Sequence, residues 1–206
     1  MRIAVLGASG ATGRELVKQA LERGHSVVAL ARDPTRLDVA LSPALEVAQA
    51  DVMKPDSVSA ALEGVDAVVS GLGIRKGDPA GTLTAGARAL AAARPPRMVW
   101  LGALGAGASR GKAGLVYGLI MRVVAGSELT DKRQADDVAV AAGATLVHPG
   151  PLTDGTRSPT RKTVPLSAFK RPHPMPARVS RATVAAAMLD EAEHGDHVGG
   201  VVVPLP

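Results

Sequence analysis

Short apolar runs alternate along the chain with stretches in which apolar side chains recur every three or four residues, and each change of period falls at glycine or proline. Residues 3–6 form a continuous apolar run with the length of a strand covered on both faces. Over residues 12–23, Leu16, Val17, Ala20 and Leu21 share one helical face, and Gly24 stops the pattern. The strand signature returns at 26–31, 45–48, 67–70, 97–101 and 145–148. Between these runs, 55–62, 82–93, 114–124 and 127–142 read as helices, with Gly64, Pro95-Pro96 and Gly143 as breaks and Ser127 as an N-cap. A helix over 181–193 and a strand over 200–203 close the pattern. Seven prolines between Pro149 and Pro176 cannot donate to a ladder, so that stretch is expected to leave the sheet, apart from a short edge strand at 163–166.

Strands separated by right-handed helical crossovers give an α/β fold of the Rossmann type, a doubly wound parallel sheet of about six to seven strands. A length of 206 residues fits one domain over 1–206, with a proline-rich basic excursion at 149–180. In such a sheet ligands bind at the carboxyl ends of the strands, so the strand exits are where chemistry is expected.

The first exit reads Gly7-Ala8-Ser9-Gly10-Ala11-Thr12-Gly13, three glycines spaced three apart on a strand-to-helix turn. A pyrophosphate can approach backbone amides closely only where no Cβ intervenes, and a helix N-terminus supplies compensating positive potential. Gly7, Ser9, Gly10, Ala11, Thr12 and Gly13 are therefore expected to cradle a dinucleotide. The second strand ends at Arg32-Asp33-Pro34. An acid there bonds the ribose of NAD, whereas arginine pairs with the 2′-phosphate of NADP. Arg32, helped by Arg36, favours NADP(H). Asp33 is either the ribose acid displaced by one residue or the cap of a short helix. Asp51 and Val52 end the third strand and are expected at the adenine, unless Asp51 caps the helix after Pro55. Gly71, Leu72 and Gly73 follow the fourth strand, Gly102 and Ala103 the fifth, and His148, Pro149, Gly150 and Pro151 the sixth.

Composition narrows the choices. The chain has no cysteine, which removes disulfides, thiolate catalysis and cysteine zinc sites, and its five histidines form no metal-ligand pattern, so no metal is expected. The first strand begins at residue 2 and no apolar run is long enough to span a bilayer, so a cytoplasmic protein without membrane attachment is expected. The net charge of +5 is concentrated in 157–181, where Arg157, Arg161, Lys162, Lys170, Arg171, Arg178 and Arg181 lie without a single acid. Trp100, Tyr117 and Phe169 are the only aromatic residues, too few for nucleic-acid stacking, so no nucleic acid is expected. The basic segment is either a solvated loop or the mouth of the ligand site.

The glycine turn, Ala31-Arg32-Asp33 with Arg36-Leu37, Asp51-Val52, Gly71-Leu72-Gly73, Gly86-Ala87-Arg88, Asp131-Lys132 and Pro149-Gly150-Pro151 together resemble the atypical short-chain dehydrogenase family with an NAD(P)H-binding domain, in its flavin reductase and biliverdin-IXβ reductase branch. The resemblance implies a single Rossmann domain, NADPH as cofactor, and reduction of flat conjugated acceptors such as flavins, bilins or quinones. A monomer or weak dimer is expected. Two departures stand out. The Tyr-x-x-x-Lys pair of the wider superfamily is missing, because Tyr117 precedes Met121 by four and Lys132 follows Glu128 by four. The hydroxyl residue that the branch places after the fifth strand is replaced by Gly102-Ala103. Two catalytic candidates remain: His148 as a nearby acid or a packing residue, and Lys132 as a ribose-orienting group or a solvated charge. A non-enzymatic NADP sensor similar to NmrA-like regulators is the alternative reading. A nucleotide-sugar epimerase is disfavoured by the absent pair.

Overall fold

The computed structural model describes residues 1–40, 42–114, 116–119, 126–170 and 175–206. Strand β1 (Arg2–Leu6) is followed by α1 (Ala11–Glu22), β2 (Ser26–Ala31), β3 (Leu45–Gln49), α2 (Pro55–Ala61), β4 (Ala67–Ser70), α3 (Thr82–Ala93) and β5 (Met98–Leu101). Helix α4 (Gly126–Ala141), β6 (Thr145–Val147), β7 (Leu152–Thr153), β8 (Lys162–Pro165), β9 (Val179–Ser180), α5 (Arg181–His194) and β10 (Val201–Leu205) complete the order. The main sheet runs β3-β2-β1-β4-β5-β6-β10-β8. The crossover from β3 back to β4 beside β1 reverses the direction of winding and opens the crevice expected at such a switch point.

The sheet holds eight strands, more than the spacing predicts. Strand β10 adds a parallel neighbour to β6, and β8 pairs antiparallel with β10 at the edge, where Pro165 is tolerated because one side of the strand needs no donor. The excursion is tied back by the two-residue parallel ladder of β7 with β9. The helix expected over 114–124 lies largely outside the described residues, of which 116–119 are helical, and so do the side chain of Ser127 and the basic residue Arg171.

The continuous apolar runs are explained by burial on both faces. Ala4, Leu6, Val28, Leu30, Val68, Trp100 and Leu146 pack beneath α2, α3 and α4 through Val58, Leu83, Leu90, Ala135 and Ala139. The alternate residues Ile3, Val5, Val27, Ala29, Val69 and Val99 meet α1 and α5 through Leu16, Val17, Ala20, Val184, Met188 and Leu189. A third, smaller cluster of Leu104, Ala113, Tyr117, Phe169 and Val203 lies beyond the exit of β5.

Candidate cofactor cleft

A cleft of about 500 Å³ opens along the carboxyl ends of the strands. Its walls bring together Gly7, Ser9, Gly10, Ala11 and Thr12 of the glycine turn with Arg32, Arg36, Asp51, Val52, Gly71, Leu72, Gly73, Gly102, Ala103, Pro149 and Gly150. Residues from six strand exits, up to 143 positions apart in sequence, thus share one surface. Gly13, His148 and Pro151 do not line it among the described residues.

The three glycines of the turn do different work. Gly7 has φ +76, and a Cβ there would stand 2.9 Å from the Leu72 Cα, so the turn and the β4 exit can meet only at a glycine. Gly13 packs on the Gly7 carbonyl, and a Cβ on it would lie 2.8 Å from the Ala8 Cα. Gly10 has ordinary extended backbone, φ −77 and ψ 165, and serves as the N-cap of α1 without a side chain to satisfy the first amides. No acid lies in that first turn. An uncapped, acid-free helix start facing the cleft suits an anionic diphosphate.

At the next exits, charge is arranged more closely than the spacing predicts. Arg32 Nη2 donates to Asp78 Oδ1 at 2.9 Å, while Asp78 Oδ2 accepts the Arg75 amide at 2.7 Å. Arg75 in turn donates from Nη2 to the Ser9 carbonyl at 2.7 Å, which ties the loop after β4 to the glycine turn. Burial raises the Asp78 carboxyl, but the Arg75 amide and the Arg32 guanidinium more than offset it, and it sits below the ordinary aspartate value. Asp33 accepts from Thr35 at both its hydroxyl, 2.6 Å, and its amide, 3.1 Å, and so caps the 3-10 turn Pro34–Arg36. The Thr35 hydroxyl bond holds that carboxyl below its ordinary value. Of the two readings of Asp33, the structure bears out the cap. Asp51 Oδ1 accepts the Met53 amide at 3.0 Å, so it closes its own turn while lining the cleft.

At the far end, the exits of β5 and β6 are stitched together: the Gly102 amide donates to the Val147 carbonyl at 2.9 Å and the Leu104 amide to the Pro149 carbonyl at 2.9 Å. His148 lies behind this floor with no exposed surface. Its Nδ1 is 2.7 Å from Ser109 Oγ, its Nε2 is 3.3 Å from Asp136 Oδ2, and a Cβ on Gly102 would stand 2.5 Å from that Nε2. The structure therefore corrects the expectation of His148 as an acid beside the ligand: its ring is walled off by Gly102. The same contact explains why the β5 exit carries glycine rather than a hydroxyl residue.

Lys132 does line the cleft. Its orientation follows from its neighbour Asp131, buried beneath the start of α3, whose oxygens accept the Leu83 amide at 3.0 Å, the Thr84 amide at 2.9 Å and the Thr84 hydroxyl at 2.6 Å. Tyr117, Arg75 and Asp78 also line the cleft, and sequence reasoning does not single them out as site residues; Arg181 of the basic segment lines it too. A charged pair three residues apart, directly after a glycine-rich strand exit, is the signal that points to Arg75 and Asp78. Tyr117 is hidden in an apolar stretch; burial pushes its phenol above the ordinary value. In the basic segment, Arg181 pairs with Asp154 at 2.7 Å and Arg161 with Asp190 at 2.9 Å, so part of its excess charge is neutralised.

A Rossmann sheet with a glycine cradle defines a dinucleotide-binding protein, and comparison with known proteins agrees. The family described as NAD(P)H-binding matches residues 7–195, and the chain belongs to it. The fold is shared with a protein of Streptococcus pneumoniae TIGR4 provisionally assigned as an NADH-flavin reductase, at 19% identity and a TM-score of 0.78 over 100% of this chain and 99% of that one. It is shared also with a wide-type short-chain dehydrogenase/reductase of Veillonella parvula solved with NADP, at 16% identity and a TM-score of 0.78 over 100% and 94%. The photosystem II assembly factor Ycf39 of Synechocystis is 36% identical over 69 residues, a stretch that makes up 34% of this chain and 21% of that protein. No helix among the described residues is long and apolar enough to cross a membrane.

Proposed function

We propose that the chain is an NADPH-dependent oxidoreductase that passes a hydride to flat conjugated acceptors of the flavin, quinone or bilin type. The observation that carries this reading is the single cleft in which the glycine turn, Arg32, Asp51 and the β4, β5 and β6 exits converge. The uncapped start of α1 fits the diphosphate, Arg32 and Arg36 fit a 2′-phosphate, and Gly102, Ala103, Pro149 and Gly150 form a floor for the nicotinamide. When bound, the nicotinamide supplies the hydride, and the protein supplies position. Leu101, Ala103, Leu152 and Tyr117 make that end of the cleft largely apolar, which suits a flat ring. Of the side chains there, Tyr117 supplies a neutral hydroxyl, protonated at neutral pH like any phenol, and burial favours that form further. It takes the role of proton donor that His148 cannot fill, with Lys132 as the cation of that end.

Oxidation of NADPH followed at steady state with FMN, riboflavin, quinones and biliverdin tests the reading. Turnover with at least one flat acceptor is expected. Tight NADPH binding without turnover on the whole panel overturns it in favour of a dinucleotide sensor, the role to which similarity to an assembly factor lends support.

A further inference from the structure

The guanidinium that would select the cofactor already has a counter-ion. Asp78 reaches Arg32 from a different segment, and its side chain is 8% exposed against 53% for Arg32. It is not a loose surface acid, because its second oxygen is committed to the Arg75 amide at 2.7 Å and the Asp78 amide donates back to the Arg75 carbonyl at 3.0 Å. The remaining charges nearby are Arg75, whose guanidinium is held on Ser9, Asp33, whose carboxylate is held by Thr35, and Arg36.

We propose that Asp78 is a specificity-determining residue of the cleft: an internal counter-ion that a 2′-phosphate must displace from Arg32, and that a 2′-hydroxyl can leave in place. The inference rests on the reading of Arg32 as the partner of the 2′-phosphate. A phosphate and a carboxylate on one guanidinium stand within a few ångströms of each other, and like charges that close disfavour one another strongly where solvent is partly excluded. Protonation offers no easy escape, because an aspartate is ionised at neutral pH and the Arg75 amide still holds the carboxylate when Arg32 turns to the phosphate. Rotation away strips a nearly buried oxygen of its partner. The burden therefore falls on NADPH alone. For NADH the same carboxylate is an acceptor available to a ribose hydroxyl. Arg32 confers less preference for NADPH than an unpaired arginine would, and Asp78 sets how much less.

Calorimetric titration of NADPH and NADH into the wild-type chain, Asp78→Asn, Arg32→Ala and the double variant tests this. Asparagine keeps an oxygen for the Arg75 amide, so the turn survives, and thermal unfolding checks that it does; Asp78→Ser is a second neutral replacement. Asp78→Asn and Asp78→Ser should each tighten NADPH about five- to tenfold and leave NADH within about twofold, the scale of one removed like-charge contact at a half-exposed site. In the Arg32→Ala background most of that gain should vanish, since Asp78 acts through Arg32. Equal effects on both dinucleotides, or an unchanged ratio between them, overturn the proposal. If Arg32→Ala weakens NADPH and NADH alike, the assignment of Arg32 itself fails, and the inference falls with it by a separately visible route.

Discussion

Two alanine substitutions in the glycine turn, three residues apart, should separate stability from binding. A Cβ at Gly13 falls far inside the contact distance of the Gly7 carbonyl oxygen and 2.8 Å from the Ala8 Cα. Both obstacles are backbone, so no rotamer change relieves them and the start of α1 must move off β1. Overpacking of this kind costs about 1–3 kcal/mol, sometimes more, against a helix-propensity gain of about 1 kcal/mol for replacing glycine. Because both obstacles are backbone, the upper end of that range applies and a net loss of about 2 kcal/mol is expected for Gly13→Ala, which for a chain of this size lowers the melting temperature by about 4–8 °C.

At Gly10 the geometry differs. The nearest obstacle to a Cβ is the Gly7 carbonyl oxygen at 3.2 Å, the backbone is one that any residue adopts, and the methyl group would face the cleft beside the open amides of α1. Loss of a favourable N-cap and restriction of the unfolded chain nearly cancel, so stability should change by about 0.5 kcal/mol or less. Affinity should suffer instead, because the methyl group stands where a diphosphate must approach the amides; a drop of about tenfold or more in dinucleotide binding is expected. Urea denaturation and calorimetric titration of both variants read the two quantities separately. A Gly13→Ala variant as stable as the wild type, or a Gly10→Ala variant that loses stability while keeping its affinity, refutes this division of roles.

Tyr117→Phe should lower kcat with flavin or quinone acceptors by about 100-fold, the lower end of the range for loss of a general acid, while leaving the dissociation constant of NADPH unchanged. A solvent deuterium isotope effect on kcat in the wild type, with unchanged turnover in the variant, would contradict the assignment. At the opposite end of the molecule, burial raises the Glu193 carboxyl but bonds from His25 at 2.8 Å and Arg23 at 2.9 Å outweigh it, so the folded value is lowered. The stabilisation is therefore complete above the ordinary glutamate value and is lost as pH falls through the lowered one; Glu193→Gln should cost about 1 kcal/mol at neutral pH and progressively less as acid protonates the wild-type carboxylate, as measured by urea denaturation.

The parallel strands were legible because residues buried on both faces leave unbroken apolar runs, and the helices because Gly24, Gly64 and Pro95-Pro96 punctuate them. Thr82 begins and Ala93 ends α3, the bounds the pattern itself marks. The ladder of β7 with β9 was not legible, since two residues per strand carry no period. Most of the cleft was readable for a topological reason: a parallel sheet delivers every strand exit to one edge, so naming the exits names the rim. Strand exits do not, however, tell inward from outward. Thr145, Leu146, Val147 and His148 are all buried, and nothing in that run marks where the chain turns from core to cleft. Partnerships across the rim are equally invisible, because Arg32 and Asp78 are joined only when the loop after β4 folds back over the β2 exit.

That blind spot bears on how cofactor preference is read in this fold. An arginine at the end of β2 is taken as a mark of NADP because the residue is assumed to be free. Here its charge is balanced by an acid 46 residues away, and the acid is held in place by a backbone amide of its own loop. Two chains with the same β2 exit could then differ in preference solely through the segment after β4. On the proposed assignment the selectivity of the cleft belongs to the pair, with Arg32 supplying attraction for any anion that comes near and Asp78 setting the threshold a particular anion must exceed.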